Sequence, residues 1–156
     1  MNFSIKSRRK ILLPDGSITY LSKIFNENYH STCGAMRESY EKYFGVIEKN
    51  MFLLNYFSGL EAVNILDPFY GLGYNTFQAI KYFLNPNFKC KNINIFSLDI
   101  DKSIILKSFK ILKKYFSEIN IMRLHDKSKL FFHNYCKKIS VINGKTICFY
   151  LFSGVN

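Results

Sequence analysis

Apolar and polar positions follow two periods along this chain, and each change of period marks an element. "RKILLPDGSITYLSKIF" holds two short runs of strand-forming residues, Lys10–Leu13 and Ser17–Leu21. Pro14-Asp15-Gly16 between them is turn chemistry, so the pattern predicts a β-hairpin. "NENYHSTCG" is polar and reads as a loop. From Ala35 to about Asn50 the spacing becomes helical. Met36, Tyr40, Tyr43, Phe44 and Ile47 share one face, and Glu38, Glu41, Lys42 and Glu48 lie largely elsewhere. Val63–Leu66 is a short apolar strand. Tyr74–Leu84 reads as a helix stopped by Asn85-Pro86.

Asn92–Leu98 is a second strand, closed by Asp99. An amphipathic helix is predicted from Lys102 to about Phe116, with Ile104, Ile105, Phe109 and Leu112 facing in, and a further helix over roughly Met122–Tyr135. "ISVINGKTICFYLF" reads as two strands around Asn143-Gly144, a strong hairpin signal. Strand, glycine turn, helix, strand with a terminal acid, helix: this order is a βαβ unit opening a Rossmann-like α/β sheet. A hairpin and helix (residues 1–50) precede a cofactor-binding part (51–156), the two forming one structural unit.

Composition narrows the class. With 48% hydrophobic and 17% aromatic residues among 156, the chain is globular and buries a core. No apolar run is long enough to span a membrane. The N-terminal basic segment is too short for a signal peptide, so the cytoplasm is the expected compartment. The net charge of +11 points to a polyanionic partner, nucleic acid before membrane surface. A second source of that charge is codon bias, since 15 Asn stand beside abundant Lys, Ile, Phe and Tyr. Cys33, Cys90, Cys136 and Cys148 show no C-x-x-C pair. His125, His133 and Cys136 are spaced so that they could cluster on a metal, but free thiols are the expected state and no metal site is expected.

"ILDPFYGLGYNT", Ile65–Thr76, carries the chemistry. Gly71 and Gly73 permit positive φ and close approach of a ligand to the backbone. They feed a helix N-terminus, where free N–H groups attract anions. Asp99 ends the next strand 26 residues after Gly73, the place of an acid that accepts ribose hydroxyls. Together these describe a nucleoside-bearing cofactor, although an ordinary tight βα turn uses the same glycines. A dinucleotide fingerprint needs a third glycine where Thr76 stands, and no Walker lysine follows. S-adenosyl-L-methionine suits the pair better, having no pyrophosphate to cradle.

Two blocks carry a resemblance. "ILDPFYGLGYNT" and "FSLDID" resemble motifs I and II of class I S-adenosylmethionine-dependent methyltransferases. "DGSITYLSKIFNENYHSTCGAMRESYEKYF" resembles the opening of the MnmC-like methyltransferases in their stand-alone, MnmD-type form. It keeps Asp15, Gly16, Ser17 and Thr19, then Glu27, Tyr29, His30, Ser31, Gly34, Ala35, Glu38 and Ser39 in register. The resemblance spans roughly residues 10 to 110. It implies methylation, with S-adenosylmethionine, of the 5-aminomethyl group of the tRNA wobble uridine, completing 5-methylaminomethyl(-2-thio)uridine. It implies cofactor contacts from Asp67, Phe69, Tyr70, Gly71, Gly73, Asn75, Asp99, Ile100, Tyr29 and His30.

Methyl transfer from a sulfonium asks mainly for alignment, with the amine presented unprotonated. The uridine must be drawn from the anticodon loop, commonly by aromatic stacking, for which Tyr70, Tyr29 and Phe25 are candidates. Arg8, Arg9 and Lys10 are the densest basic run and the expected phosphate contacts. The family's later strand, whose aspartate faces the substrate amine, has no counterpart here. "YLFSGVN" resembles the approach to an earlier acidic loop, with Val155 in place of the acid. The expectation is therefore the first half of the fold, truncated before the catalytic aspartate and weak or inactive alone. A separate oxidoreductase, or a second chain supplying the missing half, is the expected protein partner.

Two alternatives stay open. "LDPFYGLGYNT" also resembles a motif of DNA and RNA amino-methyltransferases, but the doubled-proline motif of those enzymes is absent. The other is a non-catalytic, basic RNA-binding module on a decayed Rossmann scaffold.

Overall fold

The computed structural model describes residues 9–22, 25–115 and 135–153. The expected helix over roughly 122–135, with His125 and His133, lies outside these apart from Tyr135, which is in a strand. The N-terminal hairpin pairs β1 (Lys10–Leu12) with β2 (Ile18–Tyr20), antiparallel, across the Pro14-Asp15-Gly16 turn. Helix α1 (Ala35–Ser39), a π-helical turn (Tyr40–Phe44) and α2 (Gly45–Lys49) follow without a break, where the periodicity predicts one helix. The π turn adds one residue to the winding and changes which side chains face in. Tyr43, expected on the apolar face, is consequently exposed, while Phe44 is buried against Tyr82.

The polar pattern of the hairpin explains why α1 begins where it does. Asp15 Oδ2 accepts from the N–H groups of Met36 and Arg37, both at 3.0 Å, and Ser17 Oγ accepts from Ala35 N at 2.9 Å. Three orphan donors of the helix N-terminus are thus satisfied from a hairpin turn about twenty residues upstream. Burial pushes the Asp15 carboxyl up. The Ser17 side chain and the backbone N–H groups of Arg37, Ser17 and Met36 outweigh that and hold it below its ordinary value. Gly34 has φ +119, and a Cβ there would lie 2.4 Å from the Asp15 carboxylate, so only glycine fits.

Helix α3 (Met51–Gly59) is an addition to the expected elements; Asn50 caps it by accepting from Leu53 N at 3.1 Å. The main sheet has the order β3 (Ala62–Asp67), β4 (Asn92–Asp99), β6 (Lys145–Ser153), β5 (Tyr135–Ile142). The first three are parallel. β5 joins antiparallel through the Asn143-Gly144 hairpin, whose two residues take φ +50 and +73. Helix α4 (Tyr74–Leu84) has the predicted bounds, and α5 (Lys102–Tyr115) nearly so. The βαβ unit predicted from the order of elements is β3–α4–β4.

Alternate residues of the strands face the helices. Ile93, Ile95, Ile147, Phe149 and Leu151 are fully buried beneath Phe77 and Ile80 of α4 and Ile104 and Ile105 of α5. Burying one such side chain stabilises by roughly 1.5–3 kcal/mol. The opposite face carries Leu66, Phe96, Leu98 and Phe152, all exposed, with Phe96 stacked on Tyr150 at 4.7 Å. Lys145, a polar residue opening β6, is buried. Its Nζ donates to the carbonyls of Phe83, Asn85 and Phe88 at 2.7–3.1 Å, closing the C-terminal end of α4. Three carbonyl partners offset the cost of burying an ammonium there.

Candidate functional site

Register creates the site. Asp67 is paired with Ser97, so β4 runs two residues beyond β3, and Asp99 is paired with Ser153 of β6. These strand tips form one wall of a cleft at the carboxyl end of the parallel strands, where α/β sheets bind ligands. The other wall comes from the loop after β2 and from the α1–π segment. The cleft holds about 660 Å³, within the range of small-molecule sites.

The glycine turn is tied to the strand tips. Tyr70 N donates to Leu98 O at 2.8 Å, and Gly71 N donates to Asp99 Oδ2 at 2.6 Å. Asp99 Oδ1 accepts from Asp101 N at 2.7 Å. Gly71 and Gly73 have φ +52 and +78, so both use the freedom for which glycine was expected. Tyr29 OH donates to Asp101 Oδ2 at 2.7 Å and joins the two walls.

The expected cofactor residues divide into two groups. Phe69, Gly71, Asn75, Asp99, Ile100, Tyr29 and His30 line the cleft. Asp67, Tyr70 and Gly73 do not, and each has another task. Asp67 is buried at the end of β3, where its Oδ2 accepts from Thr76 Oγ1 at 2.6 Å, and Thr76 Oγ1 is 2.8 Å from Ser97 Oγ. Burial pushes its carboxyl above the ordinary value, against the lowering effect of the Thr76 bond. Tyr70 is 1% exposed and bonds Ser108 Oγ at 3.1 Å, so it offers no stacking face. Gly73 is the left-handed N-cap of α4. Of the other two proposed stacking faces, Tyr29 and Phe25 line the cleft, Phe25 being 64% exposed. Arg9 and Lys10 are exposed at the start of β1 and do not line it; Arg8 lies outside the described residues.

Several cleft residues were not among the expected site residues. Asn28, Glu38, Lys42 and Tyr43 come from the loop and helix wall, and Asp101, Phe152 and Ser153 from the strand tips. The π turn is what brings Tyr43 out, and a fixed 3.6 period cannot reveal it. Asp101 was legible as the second acid of "LDID".

The cleft's charge opposes that of the protein. Four carboxylates, Glu27, Glu38, Asp99 and Asp101, face one ammonium, Lys42, in a chain of net charge +11. Burial pushes the His30 imidazole down to about 4, so it is neutral at pH 7. Asn28 Oδ1, His30 Nε2 and Ser153 Oγ are buried without a hydrogen-bond partner among the described residues. Buried polar atoms left unpaired are costly, and three on residues that line one cleft fit a site that a polar ligand completes. The acid at the strand tip, the glycine turn and the cleft's size fit the ribose and amino-acid parts of S-adenosylmethionine.

The fold and cleft define an α/β chain with a Rossmann-like, mostly parallel sheet, preceded by a β-hairpin and helix. Among solved structures it is similar to the crystal structure of MNMC2 from Aquifex aeolicus, with a TM-score of 0.58 and 21% sequence identity. The likeness covers 96% of this chain and 43% of that one, so the chain spans less than half the length of that protein. At this identity the likeness is one of fold. No protein-family model and no curated protein matches the chain. Among the described residues, no helix is long and apolar enough to cross a membrane, and no cluster of His, Cys, Asp or Glu is arranged to hold a metal ion.

Proposed function

We propose that the chain forms the cofactor-binding part of an S-adenosyl-L-methionine-dependent tRNA methyltransferase. Its reaction is methylation of the 5-aminomethyl group of the wobble (2-thio)uridine to 5-methylaminomethyl(-2-thio)uridine. The observation that carries this reading is the Gly71–Asp99 tie at the lip of an acidic cleft in a strongly basic protein. A basic body suits a polyanion, and an acidic cleft suits a cationic group carried on it. A tRNA bearing an aminomethyl group is such a substrate, and the cofactor is itself a sulfonium.

When bound, S-adenosylmethionine supplies an electrophilic methyl group, and the protein's part is placement. Asp99 and the Gly71 backbone hold the nucleoside end against the strand tips. Phe69 and Ile100, 84% and 64% exposed, form apolar surface beside Asp99. Asn75, in the first turn of α4, lies where helix N–H groups meet a carboxylate. Tyr29 keeps the two walls at fixed spacing. Phe25 and Tyr43, exposed on the opposite wall, supply stacking faces for an extruded base. Arg9 and Lys10, with Arg8, are proposed phosphate contacts to the anticodon arm. No residue of this chain is assigned as the proton acceptor.

The test is twofold. The native chain is expected to bind S-adenosylhomocysteine at a single site, and to bind tRNA with an affinity that falls steeply as salt rises. The charge of +11 alone equally favours a non-catalytic RNA-binding module. Salt-dependent tRNA binding without any adenosyl-ligand binding would establish that second reading and refute the first.

A further inference from the structure

One corner of the cleft is more specifically built than the rest. Asn28, His30 and Glu38 come from the loop after β2 and from α1. The backbone fixes the first two: Asn28 bridges Leu21 in antiparallel fashion, and His30 N donates to Thr19 Oγ1 at 3.2 Å. The His30 ring is held edge-on to Tyr74 at 5.1 Å, and Tyr74 OH in turn bonds the backbone of Ile18. Glu38 Oε1 pairs with Lys42, and Oε2 accepts from Ser31 N at 3.0 Å. Oε2 also stands 4.0 Å from His30 Nδ1.

A carboxylate on the Nδ1 side favours the tautomer with its proton there, which makes Nε2 an acceptor. That Nε2 and the nearby Asn28 Oδ1 are buried and lack partners among the described residues. Across the cleft Ser153 Oγ, on a residue 6% exposed, is in the same condition. These residues line the cleft, so their unpaired acceptors lie in its wall, under the negative field of the cleft's carboxylates. A hydroxyl has one donor and a primary ammonium has three.

We propose that the Asn28–His30–Glu38 corner is a subsite for a primary amine. It rests on the reading given under Proposed function, in which two ligands carry such a group: the amino-acid end of the cofactor and the aminomethyl group of the uridine. His30 Nε2 and Asn28 Oδ1 accept from the amine, and Glu38 fixes the imidazole and contributes negative charge. No proton needs to pass to His30; its role is to position.

Calorimetric titration of the full chain tests this with four ligands. S-adenosylhomocysteine is compared with 5′-deoxy-5′-methylthioadenosine, which lacks the amino-acid end, and 5-aminomethyluridine with uridine. His30→Phe is expected to weaken one amine-bearing ligand about tenfold and leave its amine-free counterpart unchanged. His30→Gln, which keeps an acceptor within reach, is expected to restore most of the loss. A loss on S-adenosylhomocysteine assigns the corner to the cofactor, and a loss on 5-aminomethyluridine assigns it to the substrate. Should His30→Phe lose the amine-free ligands as well, Asn28→Ala repeats the comparison with a smaller disturbance. Equal affinities of native and variant chains for all four ligands would overturn the subsite alone. A native chain that binds none of the four would overturn the functional reading and the subsite with it.

Discussion

The two walls of the cleft are built on different terms. The strand-tip wall presents most of its motif residues to the cavity: Gly71 and Asp99 bond each other and line it together. The N-terminal wall has the denser run of motif residues, yet most of them never reach the cavity. Asp15 and Ser17 cap α1, Gly34 makes room for Asp15, and Thr19 holds the His30 backbone. Of the motif residues kept in that block, only Glu27, Tyr29, His30 and Glu38 line the cleft. A closely spaced set of polar residues here is chiefly a mounting, and the chemistry it mounts is small.

That contrast is easiest to break at Gly34. Gly34→Ala places a Cβ 2.4 Å from the Asp15 carboxylate on a backbone at φ +119. The expected loss is about 4 kcal/mol by chemical denaturation, enough to unfold the wall. A loss under about 1 kcal/mol would show that the hairpin and α1 are not locked together.

Acid gives the next largest effect. The folded-state value of His30 is lowered from 6.5 to about 4, so between those values the unfolded chain binds the proton and the folded chain does not. Stability is therefore fully present above about pH 6.5 and falls as pH drops toward 4, by roughly 3 kcal/mol at most. Denaturation midpoints followed from pH 7.5 to 4.5 in the native chain and in His30→Gln measure this as the difference between their pH slopes. Equal slopes would mean that His30 is not buried neutral.

Removing the cap is milder. Asp15→Ala takes the acceptor from Met36 N and Arg37 N and is expected to cost about 2 kcal/mol. Asp15→Asn keeps an acceptor and should cost less than half of that. The smallest effect is expected for Tyr29→Phe, which cuts the bond to Asp101 between the walls while keeping the ring. It should cost about 1 kcal/mol in stability. It should weaken S-adenosylhomocysteine several-fold, through a loosened wall rather than a lost ligand contact. An unchanged affinity would place the ligand away from the Tyr29–Asp101 tie.

What could be read from the sequence follows the same division. The β3–α4–β4 unit was legible nearly to the residue because glycine opens α4 and Asn85-Pro86 closes it, and both are local signals. Helix α3 was not read, since "MFLLNYFSG" has no polar face to set a period; Asn50, its cap, was the available signal. The π turn and the exposure of Tyr43 were invisible, because an i→i+5 winding leaves no mark in a 3.6 period. Lys145 reads as an ordinary polar hairpin residue, and only the return of β6 beside β4 places it on the carbonyls of α4. Within the site, Gly71 and Asp99 were legible from spacing. Asp67 and Tyr70 follow the same motif, but a strand end and a helix start that pack closely bury both. Asn28 and Ser153 become site residues only through long-range packing, and Glu38, though part of the N-terminal block, gives no local sign that it faces the cleft.

The claim that the cleft holds an adenosyl ligand between its walls is tested most directly by S-adenosylhomocysteine titrated into the native chain and into Asp99→Asn. The result expected is one site in the native chain, weakened at least tenfold in Asp99→Asn, with circular dichroism unchanged. Absence of binding to the native chain, or equal binding to both, would contradict it.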